Sequence, residues 1–233
     1  MSTAVTVPGK FTETFTPATR IQQSLISAAE ERILIWLAER TPACINSDHL
    51  TAIGFVSQCL AGVCYALSRM NPRMLVGGII CLALNWLGDS LDGTLARVRN
   101  RQRPRYGFYV DHIADTIAAF FLMGGLAVSG YVHPAIAFSM LVAFLMLSIE
   151  AYLATYTLGK FRLSYWKFGP TEIRILLAIG NIALLRNRII NIWGHRFLLF
   201  DFGGLVAITG MTSMLVVSAI RHTMQLYKEE RIS

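Results

Sequence analysis

Long apolar stretches recur along this chain and dictate what it can fold into. They fall at about residues 50–68, 74–89, 107–129, 134–157, 171–185 and 200–220, separated by short polar or basic links. A bilayer core about 30 Å thick is crossed by about 20 apolar residues in a helix, which satisfies its own backbone hydrogen bonds. Six such stretches predict an all-α, polytopic membrane bundle of six transmembrane helices, with both chain ends on one side. Composition agrees: 54% of the 233 residues are hydrophobic and 15% charged, and the mean hydropathy is +0.50, which excludes a soluble domain.

Four segments follow. Residues 1–19 are rich in Thr and Pro, without periodicity or an apolar leader core, and read as a flexible cytoplasmic tail. Over 20–41, Ile21, Leu25, Ile33, Leu34 and Trp36 interleave with Glu30, Glu31, Arg32 and Arg40. That pattern predicts an amphipathic juxtamembrane helix lying on membrane lipids, with docking on a partner chain as the other reading. The membrane domain is expected over 42–225, and a second cytoplasmic tail over 226–233.

The net charge of +7 would suggest nucleic acid in a soluble protein. Here the basic residues sit between spans, as membrane topology requires, so no nucleic-acid partner is expected. Only Arg69, Arg73, Arg186, Arg188 and Arg196, five of the 21 Lys and Arg, fall in the links facing the other side. The remaining sixteen place the termini and the 97–105 link on the cytoplasmic side of the cytoplasmic membrane. Cys44, Cys59, Cys64 and Cys81 lack metal-type pairing and read as small apolar residues.

Against this apolar background stand four carboxylates: Asp89 and Asp92, then Asp111 and Asp115. Helical residues three or four apart share a face, so each pair points one way. Two helices joined by a short turn bring all four together, and such charge in an apolar setting requires a cation. Hard oxygen donors select Mg²⁺ or Mn²⁺, and two ions about 3.5–4 Å apart clamp a diphosphate. Gly93 and Ala96 leave one helix face bare, Gly107 does the same one turn before Asp111, and Arg97 stands near enough to grip a phosphate. Asn46 and Thr51 flank the start of the first span, where Asn serves first as a helix cap.

Asp89-x-x-Asp92-Gly93-x-x-Ala96-Arg97, then Gly107-x-x-x-Asp111-x-x-x-Asp115, resembles the signature of the CDP-alcohol phosphotransferase family. One departure is the nine-residue gap between Arg97 and Gly107, where eight are expected. The resemblance implies transfer of a phosphoalcohol group from a CDP-alcohol donor to a lipid or small alcohol acceptor, with release of CMP, by a homodimer. It implies Asp89, Asp92, Asp111 and Asp115 as ligands of two Mg²⁺ or Mn²⁺ ions, Asp115 doubling as general base. Gly93, Ala96, Arg97 and Gly107, with Asn46 and Thr51, would contact the nucleotide.

Two details resemble one branch. Asp111-His112-x-x-Asp115 and Thr171-Glu172-Ile173 are similar to segments of the choline and ethanolamine phosphotransferases, implying His112 and Glu172 as helpers in deprotonating diacylglycerol. The alternative is CDP-diacylglycerol as donor with glycerol phosphate, inositol phosphate or serine as acceptor. Arg105, Lys160, Arg162, Lys167 and Arg174 would then supply a basic pocket. An intramembrane prenyltransferase also holds a diphosphate with aspartates but separates its two Asp-rich motifs by several spans, whereas here they face each other across one turn. A cation transporter would need no Gly-x-x-Ala-Arg between its acids. Glu150, inside the fourth span, has no assignment.

Overall fold

The computed structural model describes residues 19–21, 27–158, 160–162, 170–192 and 194–231. Helices dominate, in the order α1 Ser27–Arg40, α2 Ser47–Ser68, α3 Met74–Val98, α4 Pro104–Ser129, α5 Pro134–Leu158, α6 Pro170–Arg186 and α7 Leu199–Glu229. Four short strands accompany them: β1 Thr19–Ile21 pairs in parallel with β2 Lys160–Arg162, and β3 Ile189–Ile192 forms an antiparallel hairpin with β4 His195–Leu198. The expected tail lies outside the described residues up to 18, and so does Lys167. Where a helix was expected from residue 20, Thr19–Ile21 is a strand, and the described helix begins at Ser27.

Helix boundaries follow the local chemistry. Pro104, Pro134 and Pro170 open α4, α5 and α6, where the missing N–H has no helical partner to lose. Gly130 closes α4 with φ +77°, a left-handed conformation that glycine adopts without steric penalty. The α3–α4 turn uses Asn100 at φ 52°, a conformation that Asn tolerates better than most residues.

Five helices, α2, α3, α4, α5 and α7, are long and apolar enough to cross a membrane. The sixth expected span is α6, only 17 residues and hence about 25 Å long. It runs antiparallel to α3: Arg174 reaches Asp89 near one end, and Asn181 lies beside Gly78 near the other. Its first turn carries Thr171, Glu172 and Arg174 inward, which shortens its purely apolar portion.

The helices close a ring in the order α3, α2, α4, α5, α7, α6 and back to α3, with α1 laid against α3. Hydrophobic driving force between helices is weak in lipid, so close backbone approach has to supply the packing. Two crossings show this. A Cβ on Gly88 would lie 2.6 Å from the Gly54 nitrogen, and one on Gly125 would lie 1.9 Å from the Gly62 oxygen. Thus α2 presses its backbone on α3 at one point and on α4 at another. Around these crossings Tyr65, Leu75, Leu82, Leu122, Leu126 and Tyr131 form the main core. Tyr65 donates from its hydroxyl to Asn181 Oδ1 at 2.9 Å, so the buried phenol of α2 is satisfied by α6.

The outer faces carry Val56, Leu60, Phe120, Val142, Leu153 and Val206, all about half exposed, as a lipid-facing surface requires. On α1, Leu34 and Ala38 are buried against Leu91 and Leu95 of α3, while Ile33 and Trp36 face outward. The helix therefore has one face docked on its own chain and an apolar face left over. All four cysteines are free.

Candidate active site

Asp89 and Asp92 lie in the last three turns of α3, and Asp111 and Asp115 in the first half of α4. Both packing partners of α2 are therefore acidic at the same end of the bundle. The four carboxylates line one narrow cleft together with Thr51, Gly54, Phe55 and Gln58 of α2. Because α2 stands between them, α3 and α4 present these acids across a gap. The Gly54–Gly88 contact sets the depth of that gap next to Asp89.

Each acid of α3 is held by a specific neighbour. Arg174 donates from Nη2 to Asp89 Oδ2 at 2.6 Å and from Nε to Asn85 Oδ1 at 2.7 Å. Asn85 in turn donates to the Gly54 carbonyl at 2.9 Å, anchoring the fork to α2. Asp92, only 8% exposed, accepts from the Thr51 hydroxyl at 2.6 Å, and the Gly93 backbone N–H also points at it. The side chain of Arg174 is 14% exposed and that of Asp89 37%, so the cation is the more enclosed partner. Among the described residues, no three acidic, histidine or cysteine side chains are closed around one point as a finished cation cage.

The other expected residues distribute as follows. Thr51 is in the cleft, bound to Asp92. Ala96 and Asn46 line a second, more open cavity of about 770 Å³ with Arg99, Arg101 and Arg103. There Arg99 donates to the carbonyls of Thr41, Pro42 and Ile45 at 2.6–3.0 Å, fixing the α1–α2 turn, and the Asn46 N–H donates to His49 Nδ1 at 3.2 Å. Arg97 is exposed and donates to Thr94 Oγ1 at 2.9 Å. Cβ atoms added at Gly93 and Gly107 would meet almost nothing, Arg97 at 3.6 Å from the former, so both faces are open.

His112 points away from the cleft lining. Its ring stacks on Phe108 at 4.1 Å and meets Tyr152 of α5 at 4.7 Å. Its Nδ1 lies 2.5 Å from the Phe108 carbonyl oxygen, which can only accept, so Nδ1 carries the proton and Nε2 is the basic nitrogen of the neutral ring. Glu172 is buried in the first turn of α6, against α3. Neither His112 nor Glu172 is among the residues that line the cleft.

In the sequence Arg174 is one of several basic residues near a link; its place among the acids follows from α6 running back along α3. A charged residue in the first turn of an apolar helix was the available signal. Glu30 was missed altogether. It is 7% exposed, and its Oε1 accepts from Trp86 Nε1 at 2.7 Å, Thr171 Oγ1 at 2.9 Å and Ser90 Oγ at 3.4 Å. Its signal was that Glu30, Leu34 and Ala38 fall on one stripe of α1.

A bundle of membrane-length helices with a four-carboxylate cleft between two of them defines an integral-membrane protein with a polar reaction-type site at one end. The chain belongs to the CDP-alcohol phosphatidyltransferase family, whose model matches residues 46–224. It is accordingly a membrane transferase of phospholipid synthesis, with a CDP-alcohol donor and an alcohol acceptor. No curated protein matches it.

Proposed function

We propose that the chain transfers the substituted phosphate of a CDP-alcohol to an acceptor hydroxyl, releasing CMP, at the cytoplasmic face of the membrane. The observation that carries this reading is the convergence of Asp89, Asp92, Asp111 and Asp115 on one cleft over Thr51 and Gly54. All four donors are hard carboxylate oxygens, and no Cys or His lines the cleft, a set that suits two Mg²⁺ or Mn²⁺ ions. Bound there, such ions supply charge stabilisation to the attacking and leaving oxygens.

The chain's own side chains do the rest. Thr51 and the Gly93 N–H fix the orientation of Asp92, and Arg174 fixes Asp89 while bringing positive charge to the cleft. Asp115, beside the acceptor's path, takes the hydroxyl proton. Ala96 and the basic cavity beside it receive the nucleotide, with Arg101 and Arg103 close to its phosphates.

Two donor classes compete. The Asp111-His112 pattern favours CDP-choline or CDP-ethanolamine with diacylglycerol, His112 acting through Nε2. Arg174 bound to Asp89 at the edge of the acidic cleft, which neither His112 nor Glu172 lines, favours CDP-diacylglycerol with a small polar or phosphorylated acceptor. A guanidinium held against these acids suits a phosphate-bearing acceptor, and we infer that phosphatidyl transfer is the reaction, by a homodimer as the family resemblance implies. CMP release from purified protein with Mg²⁺ or Mn²⁺ tests this. CDP-diacylglycerol is offered with glycerol phosphate, inositol phosphate or serine, and CDP-choline or CDP-ethanolamine with diacylglycerol. Release only from the latter pair reverses the choice of donor, and no release from any overturns the reading.

A further inference from the structure

Two adjacent stripes of α3 are tied to α6 in different ways. Asn85 and Asp89, four residues apart, are held directly by Arg174. Trp86 and Ser90, displaced by one residue, bond to Glu30 of α1, whose same carboxylate oxygen also takes the Thr171 hydroxyl. Thr171 and Arg174 are one helical turn apart, so both ties act on the same end of α6. Glu30 is almost fully buried, and its carboxylate accepts from the neutral Trp86 and Thr171 donors at 2.7 and 2.9 Å, bonds that a charged acceptor strengthens. Packed chiefly on α3, α6 is joined through these polar contacts to both α3 and α1 at its first turn.

We propose that Glu30 is a positioning residue: by latching α1 to the start of α6 it sets where Arg174 meets Asp89 and Asn85. The juxtamembrane helix is then part of the working site and not only a surface anchor. This rests on the cleft being the transferase site, and the following experiment separates the two claims.

Thr171→Val removes the hydroxyl at nearly constant volume, and Thr171→Ser keeps it. In CMP release, Thr171→Val and Glu30→Ala are expected to lower kcat/KM by roughly ten-fold, the size of one charge-assisted hydrogen bond. Thr171→Ser stays within about two-fold of the parent, and Glu30→Gln, which keeps an acceptor oxygen, falls between. In an Arg174→Lys background Glu30→Ala adds little further loss, because its effect runs through the missing guanidinium. An equal loss in both backgrounds, or full activity of Thr171→Val, overturns the proposal. If the parent protein releases no CMP from any donor, the transferase reading fails, and the latch is read by hydrogen exchange of α6 instead. Faster exchange in its first two turns for Thr171→Val, but not for Thr171→Ser, supports the latch; unchanged exchange overturns it.

Discussion

The acidic cleft and the Glu150–His222 pair both set carboxylates within the bundle, and they are built differently. In the cleft, four Asp from α3 and α4 surround open space, and those of α3 are held by a hydroxyl, a backbone N–H and one guanidinium. Between α5 and α7, a single carboxylate, Glu150, meets a single partner, His222 Nδ1, at 2.6 Å. Glu150 is 11% exposed and His222 28%, and the second oxygen of Glu150 has no partner among the described residues. The pair closes on itself. The cleft, by contrast, uses its protein partners to aim lone pairs at a shared space, which leaves room for a cationic ligand. An acid inside a membrane chain is therefore diagnostic of function through its surroundings, not through its burial.

The largest expected effect tests the open cluster. Asp89→Asn or Asp115→Asn should lower kcat by about a thousand-fold or more, since a preorganised charge at the reacting centre is lost. Removal of divalent cations with a chelator should do the same and be reversed by Mg²⁺ or Mn²⁺. Size-exclusion profiles in detergent should be unchanged, because neutralising one of four clustered acids relieves repulsion. Retained CMP release in both variants would break the comparison by making the cluster structural, like Glu150.

A smaller effect is expected one step out. Thr51→Val deletes the hydroxyl that holds Asp92 and leaves the volume nearly constant. Activity should fall roughly ten- to hundred-fold, the range of a hydrogen bond to a charged group, with Thr51→Ser restoring most of it. Steady-state rates at saturating donor check this. Equal rates for Val and Ser would show that Asp92 needs no such guide.

These contrasts were only partly legible in the sequence. The six apolar stretches and the three- and four-residue Asp spacings announce helices and acidic faces, because both depend on local periodicity. That α2 stands between the two acidic helices was not legible; it depends on Gly54 meeting Gly88 and Gly62 meeting Gly125, contacts with no local signature. Glu30 was hidden for the same reason, since Trp86 and Thr171 lie 56 and 141 positions away. The segment near residue 190 read as a polar loop and is a hairpin: Ile189 to Ile192 pair with His195 to Leu198, and Gly194 turns the chain at φ +83°. Its strands are too short for alternation to stand out.

The smallest effect on activity, and the sharpest on architecture, is expected at Glu150 and His222. CMP release should change less than about two-fold in Glu150→Gln, because neither Glu150 nor His222 lines the cleft. Stability should behave asymmetrically. His222→Ala alone strands a buried carboxylate whose other oxygen already lacks a partner, and should lower the thermal midpoint by several degrees. Removing both groups, as Glu150→Leu with His222→Leu, should cost less than removing His222 alone, since two apolar side chains then meet between α5 and α7. Thermal unfolding in detergent, followed by loss of the monodisperse peak, gives the order of the three variants. A double variant as inactive as Asp115→Asn would place this pair in the chemistry and erase the distinction between a closed acid and an open one.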